Sequence, residues 1–248
     1  MKYENWQQWA KRPDQAERTL VDRALGNLPV MESTKQLVKL VSQVYQPNMK
    51  ILDVGCNVGH YLRSLRSKFP DLDYTGVDAY EHYIEKARII FKDDKYAYFE
   101  KKDIFKPLYQ KNPFDIVFCC NVLFHFPDFR IPVKNLLAST KKVCFIRLML
   151  SEFTSIVKLV YEDKYDEEGN PLDYRYYNTW NKEYFIDYVK SLDWHVQLIP
   201  DEFDPTVIQK EFETIKTKKF DMGTKIIDGK QVIENIVANY MWAKITPI

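Results

Sequence analysis

The sequence lacks an excess of either charge: 36 basic residues stand against 35 acidic ones, a formal charge of +1. With no global field to draw in nucleic acid or an anionic membrane surface, a small or locally charged partner is expected, with no nucleic acid and no membrane. There is no run of about 18 apolar residues, the length that spans a bilayer. The polar opening MKYENWQQWAKRPDQ carries no apolar stretch of the secretory kind, and a cytoplasmic location is the expectation. Cysteine is sparse. Cys56, Cys119, Cys120 and Cys144 lie in apolar stretches or in a turn, with no Cys-x-x-Cys pair and no matching histidines. Reduced, buried thiols are therefore expected in place of a disulfide framework or a metal site.

What is present suffices for one sizeable core: 248 residues, 46% hydrophobic and 15% aromatic, so a single domain over 1–248 is expected. In MESTKQLVKLVSQVYQP the apolar residues Leu37, Val38, Val41 and Val44 fall near helical spacing until Pro47 and Asn48 stop them. Residues 1–48 therefore read as a helical cap. Strand-like and helix-like segments then alternate through KILDVG, HYLRSLRSKF, DYTGVD, AYEHYIEKARIIF, AYFEKKD, FDIVFCCNV, IPVKNLLAST and KVCFIRLML. Apolar strands buried on both faces and separated by amphipathic helices predict an α/β fold, a doubly wound and mostly parallel sheet, over a core of 49–150. After Leu150 the pattern alternates about the Gly169-Asn170-Pro171 turn signal, as a hairpin arm over 151–180 would. The remainder, 181–248, supplies KEYFIDYVKSL as a helix, WHVQLI as a strand and ANYMWAKITPI as a closing strand. The stretch from Pro200 to Lys230 reads as a helix plus a loop or hairpin.

The turn in ILDVGCNVGHYLRSL is where chemistry is expected. A dinucleotide fingerprint needs glycine at three places, and counting from Gly55 the other two hold Asn57 and His60. A phosphate loop fails as well, because no Gly-Lys-Ser or Gly-Lys-Thr follows. What fits is D-x-G-x-x-x-G: Asp53, Gly55 and Gly59. A carboxylate at that strand end repels pyrophosphate but suits a ligand with a cationic amine, such as S-adenosylmethionine. The next strand, YTGVD, ends in Asp78, where a doubly wound fold takes hold of a ribose diol. The third ends in KKDIF, where Asp103 can accept from an adenine amino group while Ile104 and Phe105 offer apolar surface.

Together, ILDVGCNVGHYLRSL, YTGVDAYEHYIEKAR, KKDIF and FDIVFCCNVLFHFPD resemble the class I, Rossmann-like, S-adenosylmethionine-dependent methyltransferases. The likeness covers about 49–150, with the segments near Trp194 and Met241 matching the last two elements of that fold. It implies a seven-stranded sheet whose last strand is antiparallel, with S-adenosylhomocysteine as product. By the family pattern Asp53, Gly55 and Gly59 sit beside the methionine part, Asp78 takes the ribose, and Asp103 and Ile104 flank the adenine. Asn121 follows the fourth strand near the sulfonium. The family often has glycine where this chain has Asn57, so the turn is either more closed or binds the amino acid end through the Asn side chain.

His125, in NVLFHFPD, is placed to act as a base or to shape the pocket. Arg147, in an apolar run, binds an anion or sits in a structural ion pair. Tyr174, Tyr176, Tyr177, Asn178 and Trp180 on the arm either line and lid an acceptor site, build a satellite core, or form an interface, which would make a homodimer through the arm. Met31, Glu32 and Lys35 are further pocket candidates, and YENWQQW is expected to fold over the cofactor. KNPFD near Asn112 superficially resembles an amino-methylation motif but precedes the fourth strand, and basic clusters such as KTKK are short, so a small-molecule acceptor is favoured. LPVMESTKQL and YRYYNTWNKEYF resemble bacterial methyltransferases of surface polysaccharide synthesis, including those acting on capsular phosphoramidate groups. That likeness implies an anionic acceptor and O-methyl transfer in capsule precursor synthesis. The other readings are a small-molecule N-methyltransferase and a cofactor-binding partner without transfer activity.

Overall fold

The computed structural model describes residues 14–109, 113–160, 163–207, 224–233 and 236–248. YENWQQW, Asn112 of KNPFD, KTKK and most of the helix expected after Pro200 lie outside them. The elements are α1 (Asp14–Leu25), α2 (Glu32–Ser42), β1 (Lys50–Val54), α3 (His60–Lys68), β2 (Asp73–Asp78), α4 (Glu81–Ile90), β3 (Ala97–Lys101) and β4 (Phe114–Cys120). There follow a short 3-10 turn (Leu123–His125), α5 (Arg130–Ala138), β5 (Thr140–Ser151), β6 (Lys158–Val160), β7 (Tyr174–Tyr176), β8 (Trp180–Asn181) and α6 (Lys182–Lys190). The last are β9 (Trp194–Pro200), β10 (Thr224–Ile227), β11 (Lys230–Ile233), β12 (Ile236–Val237) and β13 (Tyr240–Pro247).

The main sheet runs β3-β2-β1-β4-β5-β13-β9, with the short β8 added alongside the end of β5. β1 to β5 pair in parallel, while β13 is antiparallel to both neighbours. The expected doubly wound, mostly parallel sheet with an antiparallel last strand is thus what the chain forms. The cause is a period of two within buried strands. Leu52, Val54, Val117 and Cys119 point into one core layer with Phe129, Leu136 and Phe185. Ile51, Ile116 and Phe118 point into the other with Leu37, Leu62, Leu65 and Trp242. Both faces are dry, which is why these strands read as continuous apolar runs.

The cap helix α2 buries Leu37, Leu40 and Val41 at helical spacing. It ends at Ser42, earlier than Pro47, because the residues that follow turn back to enter β1. Its buried Gln36 anchors it across the sheet: the side-chain amide donates to Pro200 O (2.8 Å), and its oxygen accepts from Glu202 N (2.9 Å) and Trp242 Nε1 (2.8 Å).

The arm is the expected antiparallel hairpin: β6 pairs β7, with bridges Ser155↔Thr179 at its base and Tyr165↔Pro171 near its tip. A small antiparallel sheet, β10-β11-β12, extends what was expected as a hairpin. Its first turn is Asp228-Gly229, both left-handed (φ 49° and 72°), the pair that a two-residue hairpin loop requires. All four cysteines are buried and free. Among the described residues no helix is long and apolar enough to cross a membrane, and no group of metal-ligating side chains gathers.

Candidate active site

The carboxyl ends of β1, β2, β3 and β4 open on one cleft of about 350 Å3. At its centre is the corner after β1. Gly55 and Cys56 donate their N–H groups to Val77 O (2.8 and 3.0 Å), which folds the loop against β2. Gly55 has φ 79°, and a Cβ on it would lie 2.4 Å from Val122 Cγ2. Only glycine fits, because the loop after β4 closes on this backbone. Asn57 is also left-handed (φ 50°), which asparagine tolerates, and its Oδ1 accepts from Val58 N (2.8 Å). The Asn side chain therefore closes its own turn.

Asp78 is held from two sides: Oδ2 accepts from Asn57 N (3.0 Å) and Oδ1 from Tyr80 N (3.0 Å). Burial pushes its pKa up, and those N–H groups oppose the push. Asp103 folds back to accept from Phe105 N (2.9 Å), fixing it beside Ile104 and Phe105 in the cleft wall. Asn121, at the end of β4, is left-handed (φ 62°), and its Oδ1 accepts from Arg147 Nη1. Gly55, Asn57, Asp78, Asp103, Ile104 and Asn121 all line the cleft, together with Met31, His125 and Tyr177.

Other expected residues lie elsewhere. Asp53 is 1% exposed and accepts from Tyr74 Oη (2.6 Å). Burial raises its pKa to about 8, so its carboxyl is neutral at pH 7 and exerts no charge on a ligand. Gly59 starts α3 under Phe99 and Phe91, where a Cβ would be 2.9 and 3.0 Å from the rings; its part is packing. Arg147 grips Asp201 through two nitrogens (Nε to Oδ1 2.7 Å, Nη2 to Oδ2 2.6 Å) and stacks 3.7 Å from the Tyr240 ring centroid. It is the ion pair, one layer behind the cleft wall. Asn178 is wholly buried, bonding Val157 N (3.0 Å) and Phe126 O (2.8 Å), and Trp180 packs on Phe129 in the core. Tyr176 reaches the site only through its carbonyl, Tyr174 packs on Tyr176, and Lys35 pairs with Glu32 on the surface.

Beyond Asn121 the cleft is aromatic: Phe124, Phe126, Tyr177 and Tyr240, with Ile233 and Gln231 from the small sheet. Phe124 stands 4.9 Å from Tyr177 and 5.9 Å from Tyr240, centroid to centroid. His125 Nδ1 lies 3.2 Å from Tyr176 O, and since a carbonyl only accepts, that nitrogen carries the proton and Nε2 the lone pair. Burial pushes the imidazole pKa down to about 3, so the ring is neutral throughout the physiological range. Sequence reasoning missed Tyr61, Tyr80, Tyr83, Lys102, Gln231 and Tyr240. Phe124 and Phe126 were legible as the flanks of His125, but Gln231 and Ile233 carry no local signal.

These shifts predict how stability depends on pH. His60 and His125 both fall to about 3. Each is neutral when folded and protonated when unfolded below about 6.5, so each contributes stability that is lost as pH falls, about 1.4 kcal/mol per unit. Asp53, raised to about 8, acts oppositely: the folded chain holds its proton above the unfolded value, and stability falls as pH rises towards 8. The expected maximum is near pH 6.5. Urea denaturation from pH 4 to 8 checks this, and His125→Gln should remove roughly half of the histidine contribution to the acid slope.

Comparison with known proteins agrees with the geometry. A family model described as a methyltransferase domain matches residues 45–173. Among curated proteins, cycloartenol-C-24-methyltransferase of Arabidopsis thaliana is 34% identical over 86 residues, 34% of this chain and 25% of that protein. The match therefore spans only about a quarter of that relative's length. Among solved structures, magnesium protoporphyrin IX methyltransferase of Synechocystis PCC 6803 with bound SAM superposes with a TM-score of 0.54 at 12% identity, covering 99% of this chain and 94% of that one. The glycopeptide N-methyltransferase MtfA does so with a TM-score of 0.56 at 7% identity, over 87% and 94%. At such identities the likeness is one of fold.

Proposed function

The chain belongs to the methyltransferase-domain family, in its class I, S-adenosylmethionine-dependent form, and from that premise we propose that it methylates a hydroxyl on a small, flat acceptor. The observation that carries this reading is the division of the cleft. A polar half runs along the strand ends from Asn57 to Asp103, and an aromatic half is formed by Phe124, Tyr177 and Tyr240, with Asn121 between them.

The polar half fits the donor. Asp78 presents a carboxylate pre-set by two N–H groups to a ribose diol, and Ile104 and Phe105 form an apolar wall suited to adenine. Val122 packs so closely on Gly55 that any side chain there would push the loop after β4 off the corner, so glycine keeps the two in register. When bound, the donor supplies an electrophilic methyl on a sulfonium, whose leaving group needs no acid. The protein's contribution is then alignment and exclusion of water.

The aromatic half selects the acceptor. A guanidinium backs Tyr240 (Arg147, 3.7 Å) and another backs Tyr177 (Arg175, 5.3 Å). A ring already facing one cation is a poor partner for a second, so the pair favours a neutral or electron-rich planar group over an ammonium. This weighs against the N-methyltransferase reading. An anionic acceptor of the capsular phosphoramidate kind draws no support from Arg147, whose charge Asp201 takes.

His125 holds the acceptor hydroxyl by accepting its proton in a hydrogen bond at Nε2. A base with so low a pKa assists only as the oxygen–methyl bond forms. His125→Gln is expected to lower kcat about a hundredfold, the weaker end for acid–base assistance, with S-adenosylhomocysteine affinity unchanged. Between pH 5 and 8 the wild-type rate should show no ionisation that this variant removes.

Calorimetry with S-adenosylhomocysteine, then a tritiated-methyl assay on phenols, amines, and cellular RNA and protein, tests the whole proposal. Label in hydroxylated small molecules supports it. Label in amines alone overturns the acceptor reading, and binding without label in any fraction favours a partner protein that has lost transfer activity.

A further inference from the structure

The aromatic half of the cleft is a wall of rings, and one amide stands among them. Gln231 lies on β11, the middle strand of the small sheet, where it pairs with Ile226 on one side while its carbonyl accepts from Ala238 N (2.9 Å) on the other. The left-handed Asp228-Gly229 turn fixes that register. Side chains alternate along a strand, so Gln231 shares a face with Ile233, two residues on. Ile233 settles where that face looks, since it is 7% exposed and packs with Phe124, Met149 and Tyr177. Gln231 lies beside it, and both line the cleft. Among the described residues no hydrogen bond engages the side-chain amide of Gln231.

Other polar groups nearby are committed. Asn121 is held by Arg147 and donates to Tyr61 Oη (3.5 Å), and His125 is assigned above to the reacting hydroxyl. Among the described residues the charged groups lining the cleft, Asp78, Lys102 and Asp103, all belong to its donor half. Rings hold a flat molecule by area and distinguish poorly between molecules of similar size, whereas a polar group left unmatched under a ligand is costly and therefore discriminates. An amide has no charge with which to offset the desolvation of a carboxylate or an ammonium. Resting on the function proposed above, we propose that Gln231 is the specificity-determining residue of the acceptor half, its amide N–H donating to a second, neutral oxygen, a carbonyl or a hydroxyl, on the flat acceptor. The substrate class is then an aromatic molecule with oxygen at two positions, one methylated and one read by Gln231.

Two matched pairs of phenols test this: para-hydroxybenzaldehyde with para-cresol, and umbelliferone with β-naphthol. Each pair has the same number of rings, and only its first member carries a carbonyl. Transfer from S-adenosylmethionine is measured as kcat/KM, and binding by calorimetry at saturating S-adenosylhomocysteine, in wild type, Gln231→Leu and Gln231→Glu. The intrinsic reactivity of each phenol cancels when the ratio within a pair is compared between proteins. The wild type should favour the carbonyl member of at least one pair, and both variants should lower that preference about tenfold, through KM and affinity, as the loss of one hydrogen bond predicts. Gln231→Glu keeps the shape of the side chain but cannot donate, so the same loss there separates hydrogen bonding from packing. No preference in the wild type, or unchanged ratios in both variants, overturns the inference and leaves the hydroxyl reading standing wherever label is transferred. Binding without transfer counts against the hydroxyl reading instead, and the binding ratios still decide the part of Gln231. If no member of either pair binds the wild type, both fall.

Discussion

Replacing Asp78 with alanine is expected to weaken S-adenosylhomocysteine binding at least a hundredfold. A carboxylate accepting from both ribose hydroxyls makes two charge-assisted hydrogen bonds, each worth roughly 1.5–3 kcal/mol. Their sum, about 3–6 kcal/mol, corresponds to two to four orders of magnitude in affinity. The lower end applies, because the ligand-free carboxylate already resists its own burial, as its raised pKa shows, and removing it relieves that cost. The variant also strips the acceptor from Asn57 N and Tyr80 N, so the corner loses its shape along with its charge. Asp78→Asn keeps one acceptor oxygen and should fall between the two. Asp103→Ala, at the proposed adenine end, should cost about tenfold, one hydrogen bond. Calorimetry reads all three, with thermal melting to show that the chain still folds. Wild-type affinity in Asp78→Ala would refute the ribose assignment.

Asp78 and Asp103 were legible because each stands at or just past the last residue of a strand, where side chains leave the sheet for the cleft. Asp53 was misread although the same rule covers it. It lies inside β1 on the face of Ile51, two residues away, and that face points into the layer holding Tyr74. Counting by twos places it in the core, where a neutral carboxyl bonded to a phenol is stable and a charge is not. Arg147 was open between two readings because its partner, Asp201, comes from the loop after β9, 54 positions on. No local pattern carries such a pairing. The arm shows the same limit. Tyr177 turns into the cleft, Asn178 satisfies backbone groups at the base of the arm, and Trp180 enters the core against Phe129. Composition marks the stretch as aromatic, but only the path of the backbone sorts those neighbours. Gln231 and Ile233 reach the aromatic half of the cleft from a small sheet, and its fit over the cleft depends on contacts distant in sequence.

Arg147→Ala is expected to destabilise the fold by about 3–5 kcal/mol, because it leaves Asp201 without its partner at a nearly dry site. In a chain of this size each kcal/mol moves the melting temperature by about 2–4 °C, so a drop near 10 °C should be seen. Removing both charges is a different experiment. Arg147→Met with Asp201→Leu replaces the pair by apolar groups of similar bulk, and such exchanges are often neutral in stability. The double variant should melt within a few degrees of the wild type. Stability and catalysis then separate. The guanidinium also supports the Tyr240 ring and holds Asn121 at the junction of the two halves of the cleft, and the methionine restores neither contact. The double variant should therefore be well folded and bind S-adenosylhomocysteine, yet show a raised KM for the acceptor. A full double-mutant cycle in urea, with acceptor kinetics on each corner, measures both quantities. A single Arg147→Met costing under about 1 kcal/mol, or a stable double variant with wild-type KM, would show that the pair neither holds this edge of the sheet nor positions the acceptor wall.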